Sequence, residues 1–328
     1  MAGITGQGTT FDLPNFVGDL FSISPEDTPL LSRIGGLTGG VATSDVQFEW
    51  EFYDLRDAAA NRQRLEGADA PDSALRVRSN ASNVVEIHQE AVEVSYTRQA
   101  VTQGNFGTTA RGSSPVVDEL RWQIDQQLKQ VARDIELGFI TGTYAKPGTN
   151  ASPRKTRGLL QAITTNVRDL NGSVPDIEDV NDLFQIAYDN GGLLEGDTRT
   201  LICGSAMKRH LTKLFIRDVA QGFYQQSRNV GGVNLAVIET DFGRCDIMVD
   251  RYVPDGTIIA ASLEELAPRF LTIPGKGHFF WEPLAKSGSS DTSQLYGEIG
   301  LQYGNERKHA KLVDSTTPYD NVQSGSGS

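Results

Sequence analysis

The sequence predicts an α+β fold in which a long hairpin excursion and one long helix precede a smaller α/β unit and a final run of strands. Three observations predict it. Val46, Phe48, Trp50 and Phe52 alternate with Gln47, Glu49 and Glu51, the period of two of a half-buried strand. Residues 115–141 repeat apolar side chains at steps of three and four. From about residue 175, helical and strand patterns follow one another in short alternation.

Residues 1–43 have the composition of an arm with little core of its own. A short apolar piece, Phe16 to Ile23, is followed by Ser24-Pro25-Glu26-Asp27-Thr28-Pro29, then Leu30, Leu31 and Ile34. Gly35, Gly36, Gly39 and Gly40 loosen the join to the outgoing strand. The return limb of the hairpin is expected over Val85, Ile87, Val92, Val94 and Tyr96. Between the limbs, from Leu55 to Asn83, almost nothing can form a core: Arg56, Arg62, Arg64, Arg76 and Arg78 alternate with Asp57, Glu66, Asp69 and Asp72. A structureless loop of that length is unusual inside a compact domain, and a lone two-stranded hairpin is marginal in water. Ordering it costs roughly 1–2 kcal/mol of backbone entropy per residue, so the compensation is expected from a neighbouring subunit. A floppy surface hairpin is the plain alternative.

The helix is expected from Pro115 to Thr141. Ser114 suits the N-cap, Pro115 the first helical position, and Asp118 and Glu119 the positive end of the dipole. Val117, Leu120, Ile124, Leu128, Val131, Ile135 and Phe139 form its apolar stripe, and Gly142 ends it. At 1.5 Å per residue it would run about 40 Å, a spine across a sheet. The opposite face, with Arg121, Gln123, Gln126, Gln127, Gln130 and Arg133, is too polar for a membrane span. In the α/β unit, Asp176 caps a helix through Tyr188 and Thr200 to Cys203 is a strand. Ser205 to Phe215 is the next helix, and strands at Asn234–Glu239 and Asp246–Val249 flank a turn. Strands at Ile258–Ala261, Phe270–Ile273, Phe279–Glu282 and Leu295–Tyr303 are expected to supply the sheet under the long helix. The closing Ser324-Gly325-Ser326-Gly327-Ser328 has the composition of a linker.

A chain of 328 residues, 38% hydrophobic and 22% charged, is long enough for two cores. Its formal charge of −12 argues against sequence-reading DNA contacts, which need clustered Lys and Arg, while leaving room for a wall that repels enclosed nucleic acid. Cys203 and Cys245 show no metal or redox spacing, and no basic and apolar leader stands at the start, so a reduced cytosolic origin is expected. Cys203 and His210 are the best nucleophile and base candidates, yet they lie seven residues apart with no acid placed beside them. Gly275-Lys276-Gly277 lacks the earlier glycine and following hydroxyl of a phosphate loop and reads as a turn. No catalytic, cofactor or metal constellation emerges.

The order of arm, hairpin, spine helix, α/β unit and final strands resembles the major capsid proteins of tailed bacteriophages, the Hong Kong 97-type fold, and within them the SU-ten-like family. The phrases that carry the resemblance are Ile23-Ser24-Pro25 through Thr28-Pro29-Leu30-Leu31, Phe48-Glu49-Trp50, and Glu66-Gly67-Ala68-Asp69-Ala70. Arg133-Asp134-Ile135-Glu136, Thr240-Asp241-Phe242-Gly243, and Glu298-Ile299-Gly300-Leu301 with Asn305 continue them. The resemblance implies an arm (1–43), an extended loop overlapping a neighbour (44–97), a peripheral domain with the spine helix (98–174), an axial domain (175–254), returning peripheral strands (255–315) and a tail (316–328). It implies a shell subunit forming pentamers and hexamers around double-stranded DNA, with portal and scaffold or decoration proteins as partners, assembled in the bacterial cytoplasm, with no enzyme activity and no membrane. Trp50, Arg56, Arg62, Arg64, Glu66, Asp69, Arg76, Arg78, Arg133 and Glu136 are the residues expected at the assembly interface. Some relatives weld their shells through an extended-loop lysine, but residues 44–97 contain no Lys, so a noncovalent shell is expected. An encapsulin-like compartment shell and a cytosolic hydrolase are the alternatives.

Overall fold

Apolar alternation and helix caps place most elements where the sequence leads one to look, but the hairpin closes on a different strand. The fold is that of a computed structural model, which describes residues 27–53, 58–70, 72, 75–103, 119–190, 199–219, 237–285 and 288–318. In chain order the elements are α1 (Pro29–Ile34), β1 (Val41–Thr43), β2 (Gln47–Tyr53), β3 (Arg78–Val84), β4 (Glu86–Ser95), α2 (Tyr96–Gln103) and α3 (Glu119–Thr141). Then come α4 (Leu159–Ala162), β5 (Val167–Asp169), α5 (Ile177–Asp189), β6 (Arg199–Cys203) and α6 (Ser205–Val219). The chain ends with β7 (Val237–Thr240), β8 (Gly243–Val249), β9 (Ile258–Ser262), β10 (Ala267–Leu271), β11 (Phe279–Pro283), β12 (Ser290–Gln302) and β13 (Ala310–Val313). The described residues divide into two units, one of Asp27, His88–Arg133 and Phe279–Gly297, the other of Thr28–Ile87, Asp134–His278 and Glu298–Ser328.

In the first unit, β11 lies antiparallel to the first half of β12 from Phe279↔Gly297 to Pro283↔Ser293. β4 also pairs with β12. Polar links tie these strands together: Gln89 Nε2 donates to Gln294 Oε1 at 2.7 Å, and Gln294 Nε2 to Glu282 Oε1 at 2.6 Å. Ser290 Oγ donates to Glu93 Oε1 at 2.5 Å. The Val92 and Val94 side chains are buried, as the apolar pattern of this strand requires.

The second unit is organised on a six-stranded mixed sheet of order β5-β13-β9-β6-β8-β7. Asp176 caps α5 through a capping box with Asp179: Asp179 N donates to Asp176 Oδ1 at 2.9 Å, and Asp176 N to Asp179 Oδ2 at 3.0 Å. The face of α5 that carries Val180, Leu183, Phe184 and Ala187 packs with Met207 and Leu211 of α6 over Leu201, Cys203, Ile258, Ala260, Ala310 and Leu312 of the sheet. Burying each large apolar side chain there contributes about 1.5–3 kcal/mol. The second half of β12 pairs with β10, and β10 with β1 in parallel.

Three differences from the sequence expectations stand out. β2 pairs with β3, in the register Trp50↔Ala81, and the expected return limb 85–96 instead becomes β4 and the start of α2. β3 is Arg-Ser-Asn-Ala-Ser-Asn-Val, too polar for an apolar alternation to reveal, yet its backbone completes the ladder. β9 and β13 join β6 in the six-stranded sheet, although Ile258–Ala261 was expected beneath the long helix. α3 buries Val131, Ile135, Phe139 and Ile140 toward its end, whereas Leu128 is exposed. The expected helix start at Ser114 and Pro115 lies outside the described residues, as does most of the arm.

Candidate assembly interface

The β2–β3 ribbon is fastened at its base and bare at its tip. At the base, Phe48 is buried and the Trp50 indole N–H donates to Gly304 O at 2.8 Å, with the ring edge-on to Tyr303 at 4.8 Å. Asn83 is fully buried and its amide is wholly used. Nδ2 donates to Leu301 O and Arg157 O at 2.7 and 3.1 Å, and Oδ1 accepts from Val84 N and Arg157 N at 2.9 and 2.8 Å. Close approach is allowed by Gly300, where a Cβ would meet Val84 O at 2.6 Å and the Phe48 ring at 2.8 Å. Beside it, Glu298 pairs with Arg154 at 2.8 Å in a mostly buried bridge. The Glu298-Ile299-Gly300-Leu301 stretch is thus the seat of the ribbon.

Beyond Tyr53 the picture inverts. Every described residue from Ala58 to Asn80 is exposed, in turns and extended chain apart from the start of β3. Leu65, Leu75 and Val77 are 86%, 86% and 81% exposed, three apolar side chains left largely uncovered by the described residues. Arg62, Arg64, Glu66, Asp69 and Arg76 lie on this segment, and Arg56 lies outside the described residues. Arg78 pairs with Glu51 at 2.7 Å, but both side chains are more than half exposed, so the pair contributes about 0–1 kcal/mol. Its value is to hold the ribbon's two strands in register.

The last two expected interface residues sit differently. Arg133 is half-buried on α3 and its Nη1 donates to Gln130 Oε1 at 3.2 Å. Glu136 is corrected by the structure to an internal group: it is fully buried, and its two carboxyl oxygens accept from Leu30 N and Leu31 N at 2.7 Å each. It was expected at the assembly interface, but its neighbours Ile135, Phe139 and Ile140 lie on the buried side of α3 and carry it inward. Burial, and then the neighbouring Asp250 carboxyl, push its carboxyl up to about 8 against the two backbone N–H groups. Asn83 and Asp250 were not singled out in the sequence, while Glu298 stood there only within the Glu298-Ile299-Gly300-Leu301 phrase.

The residues singled out for chemistry do not converge. Cys203 is fully buried in the strand core and burial pushes its thiol up to about 12, far from a thiolate at neutral pH. His210 is buried with Nε2 2.8 Å from Pro175 O. Gly275-Lys276-Gly277 is a tight turn closed by the Ile273↔Gly277 bridge. Among the described residues no group of three metal-ligating side chains comes together, and no helix is long and apolar enough to cross a membrane.

The major capsid protein of Escherichia phage Phieco32 is 30% identical over 182 residues, 56% of this chain and 46% of that protein, so the match spans just under half the length of that relative. The capsid asymmetric unit of Cyanophage A-1(L) matches with a TM-score of 0.67 at 11% identity, covering 94% of this chain and 99% of that one. The holo-SrpI encapsulin complex of Synechococcus elongatus PCC 7942 matches with a TM-score of 0.56 at 10% identity over 93% and 92%. At such identities these likenesses establish the α+β Hong Kong 97-type fold and do not separate capsid from compartment. The family model does so: the one described as SU10 major capsid protein matches residues 3–316, and the chain belongs to that family of structural capsid proteins.

Proposed function

We propose that this chain is the shell subunit of a tailed-phage head, closing pentamers and hexamers into an icosahedral wall around double-stranded DNA. The observation that carries the reading is the bare tip of the ribbon, in which Leu65, Leu75 and Val77 are exposed on a segment with no core of its own. Covering each of them on a second copy would contribute about 1.5–3 kcal/mol, and a closed ring repeats that gain at every contact. In this reading residues 44–97 are the extended loop, 98–174 and 255–315 the peripheral domain, and 175–254 the axial domain. The arginines and carboxylates of the tip set register and orientation on the neighbour rather than supplying the main affinity. Portal, scaffold or decoration proteins are the further partners, and the host cytoplasm is the place of assembly.

Electron microscopy of the purified chain tests this directly, with icosahedral particles expected. Arg62→Ala with Arg64→Ala should leave a folded subunit that forms few particles; particles in normal yield from that double variant, at high salt included, would count against the loop as the assembly element. A protein-compartment shell is the second reading, favoured by the fold likeness to the encapsulin. Particles that co-purify with an enzyme and no DNA would select it.

A further inference from the structure

The apex of the ribbon and the surroundings of its base carry opposite charge, each without a counter-charge among the described residues. From Leu65 to Leu75 the sequence holds three carboxylates, Glu66, Asp69 and Asp72, and no Lys or Arg. All three are exposed, and among the described residues none has a hydrogen-bond or ion-pair partner. The segment still has a shape. Ala68 N donates to Leu65 O at 3.1 Å and Gly67 takes a φ of 77°, so a closed turn presents Glu66, with Asp69 just beyond it.

At the base the sign is reversed. Arg269 stands opposite Gly300, the residue on which Phe48 and Val84 close, and Lys146 reaches Gln47 at the start of β2. Arg157 donates its backbone N–H to Asn83, and its guanidinium lies over the Tyr144 ring. Among the described residues these three cations have neutral side-chain partners only. Arg157 Nη1 donates to the Tyr303 hydroxyl at 3.1 Å, Arg269 Nε to Gln302 Oε1 at 2.5 Å, and Lys146 Nζ to Gln47 Oε1. Both arginines are half-buried, and each uses one of its five guanidinium donors in this way. The fork of the remaining donors suits a carboxylate. The carboxylates of the base are engaged elsewhere, Glu298 with Arg154, Glu51 with Arg78 and Glu49 with the Gln47 amide.

The β2–β3 ladder, from Gln47↔Val84 to Tyr53↔Arg78, stands between the two charge groups and at ~3.3 Å per residue is about 20 Å long. The apex is thus carried away from the collar of its own chain. We propose that the acidic apex of one copy, Glu66 with Asp69 and Asp72, seats in the basic collar of Arg157, Arg269 and Lys146 around the ribbon base of the next copy. The proposal rests on the shell-subunit reading and names the surface that receives the tip. Tip and base are different patches, so the contact is heterologous and repeats from copy to copy until a ring closes. Leu65 and Leu75 flank the apex and supply the burial, while the charges choose the place, because a chain of net charge −12 repels the same apex over most of its surface.

A carbodiimide, which joins a carboxylate to a lysine amine in contact with it, tests the seat in particles assembled from equal amounts of isotopically light and heavy chain. Peptides of mixed isotope linking Glu66, Asp69 or Asp72 to Lys146 are expected. Apex carboxylates joined between copies only to other lysines, or to none, would overturn the proposal and leave the shell reading standing. Glu66→Arg with Asp69→Arg alters an exposed turn, so the urea midpoint should stay where it is. The subunit concentration needed for particles should rise at least about tenfold, and less as salt is added. Arg269→Glu added to that variant should lower the requirement again. A requirement that the apex reversal leaves unchanged, or that the second reversal fails to lower in a folded chain, would also overturn the seat; where that chain does not fold, the crosslink map decides. A wild-type chain that forms no particles would overturn the shell reading itself, and the seat with it.

Discussion

His309 shows how a single buried group can make the fold depend on acidity. Its Nδ1 accepts from Ser262 N at 3.2 Å, so the ring proton sits on Nε2, 2.8 Å from Tyr303 O. Complete burial holds its pKa below the ordinary value. A second proton would have to enter on Nδ1, against the Ser262 N–H. The unfolded chain therefore binds more protons than the folded one near and below the ordinary histidine range, and stability rises with pH there. The contribution is present above about pH 6.5 and is lost as pH falls below it. Urea midpoints measured from pH 7.5 down to 5 should fall for the wild-type chain, and His309→Gln should flatten that part of the profile. Trp50 makes the complementary case, a neutral contact. Trp50→Phe keeps the ring packed near Tyr303 and removes the N–H to Gly304 O, so a loss of about 1 kcal/mol is expected in denaturant unfolding at any pH. A loss near zero would mean that water replaces the indole at that carbonyl.

At the scale of elements, the ribbon stands or falls with its seat on β12. Gly300→Ala places a methyl group 2.6 Å from Val84 O and 2.8 Å from the Phe48 ring, and neither a backbone carbonyl nor a packed aromatic can retreat freely. A destabilisation of about 1–3 kcal/mol is expected, with faster exchange in β2 and β3 than in β6 and β9. The same elements show what the sequence made legible. β2 was visible because Phe48 and Trp50 face inward while Glu49 and Glu51 face water, and α5 because Asp176 and Asp179 form a box before an apolar stripe. β3 was hidden, since a strand held by backbone bonds and by Asn83 has no need of apolar alternation. The exposed tip was read correctly as having no core, from its charge and its few apolar residues. The Glu136 site was not legible at all: its partners lie 105 and 106 residues away at Leu31 and Leu30, and no local pattern encodes that meeting. β9 was grouped with the wrong sheet for the same reason, because strand partners far apart in sequence are chosen by the whole sheet, and β13 was not anticipated at all.

For the molecule as a whole, the question is what would hold copies together if, as proposed, the tips seat on neighbouring copies. A net charge of −12 makes identical subunits repel, so the contacts must outweigh a penalty that salt reduces. Residues 44–97 supply arginines to the exposed tip but no lysine. The difference is chemical as well as electrostatic: a lysine amine can be deprotonated and attack a carboxamide or carboxyl carbon, whereas a guanidinium stays protonated throughout the usable pH range and cannot become that nucleophile. In the proposed reading, a shell whose loops overlap and carry only arginine would therefore be held by burial and charge pairing, summed over many weak contacts. Particles purified from this chain, boiled in detergent and run on a denaturing gel, should give one band at the monomer mass. They should also come apart in moderate guanidinium without any bond being cleaved. A ladder of covalent multiples would overturn the noncovalent shell, and would direct attention to the lysines outside the loop as the source of the crosslink.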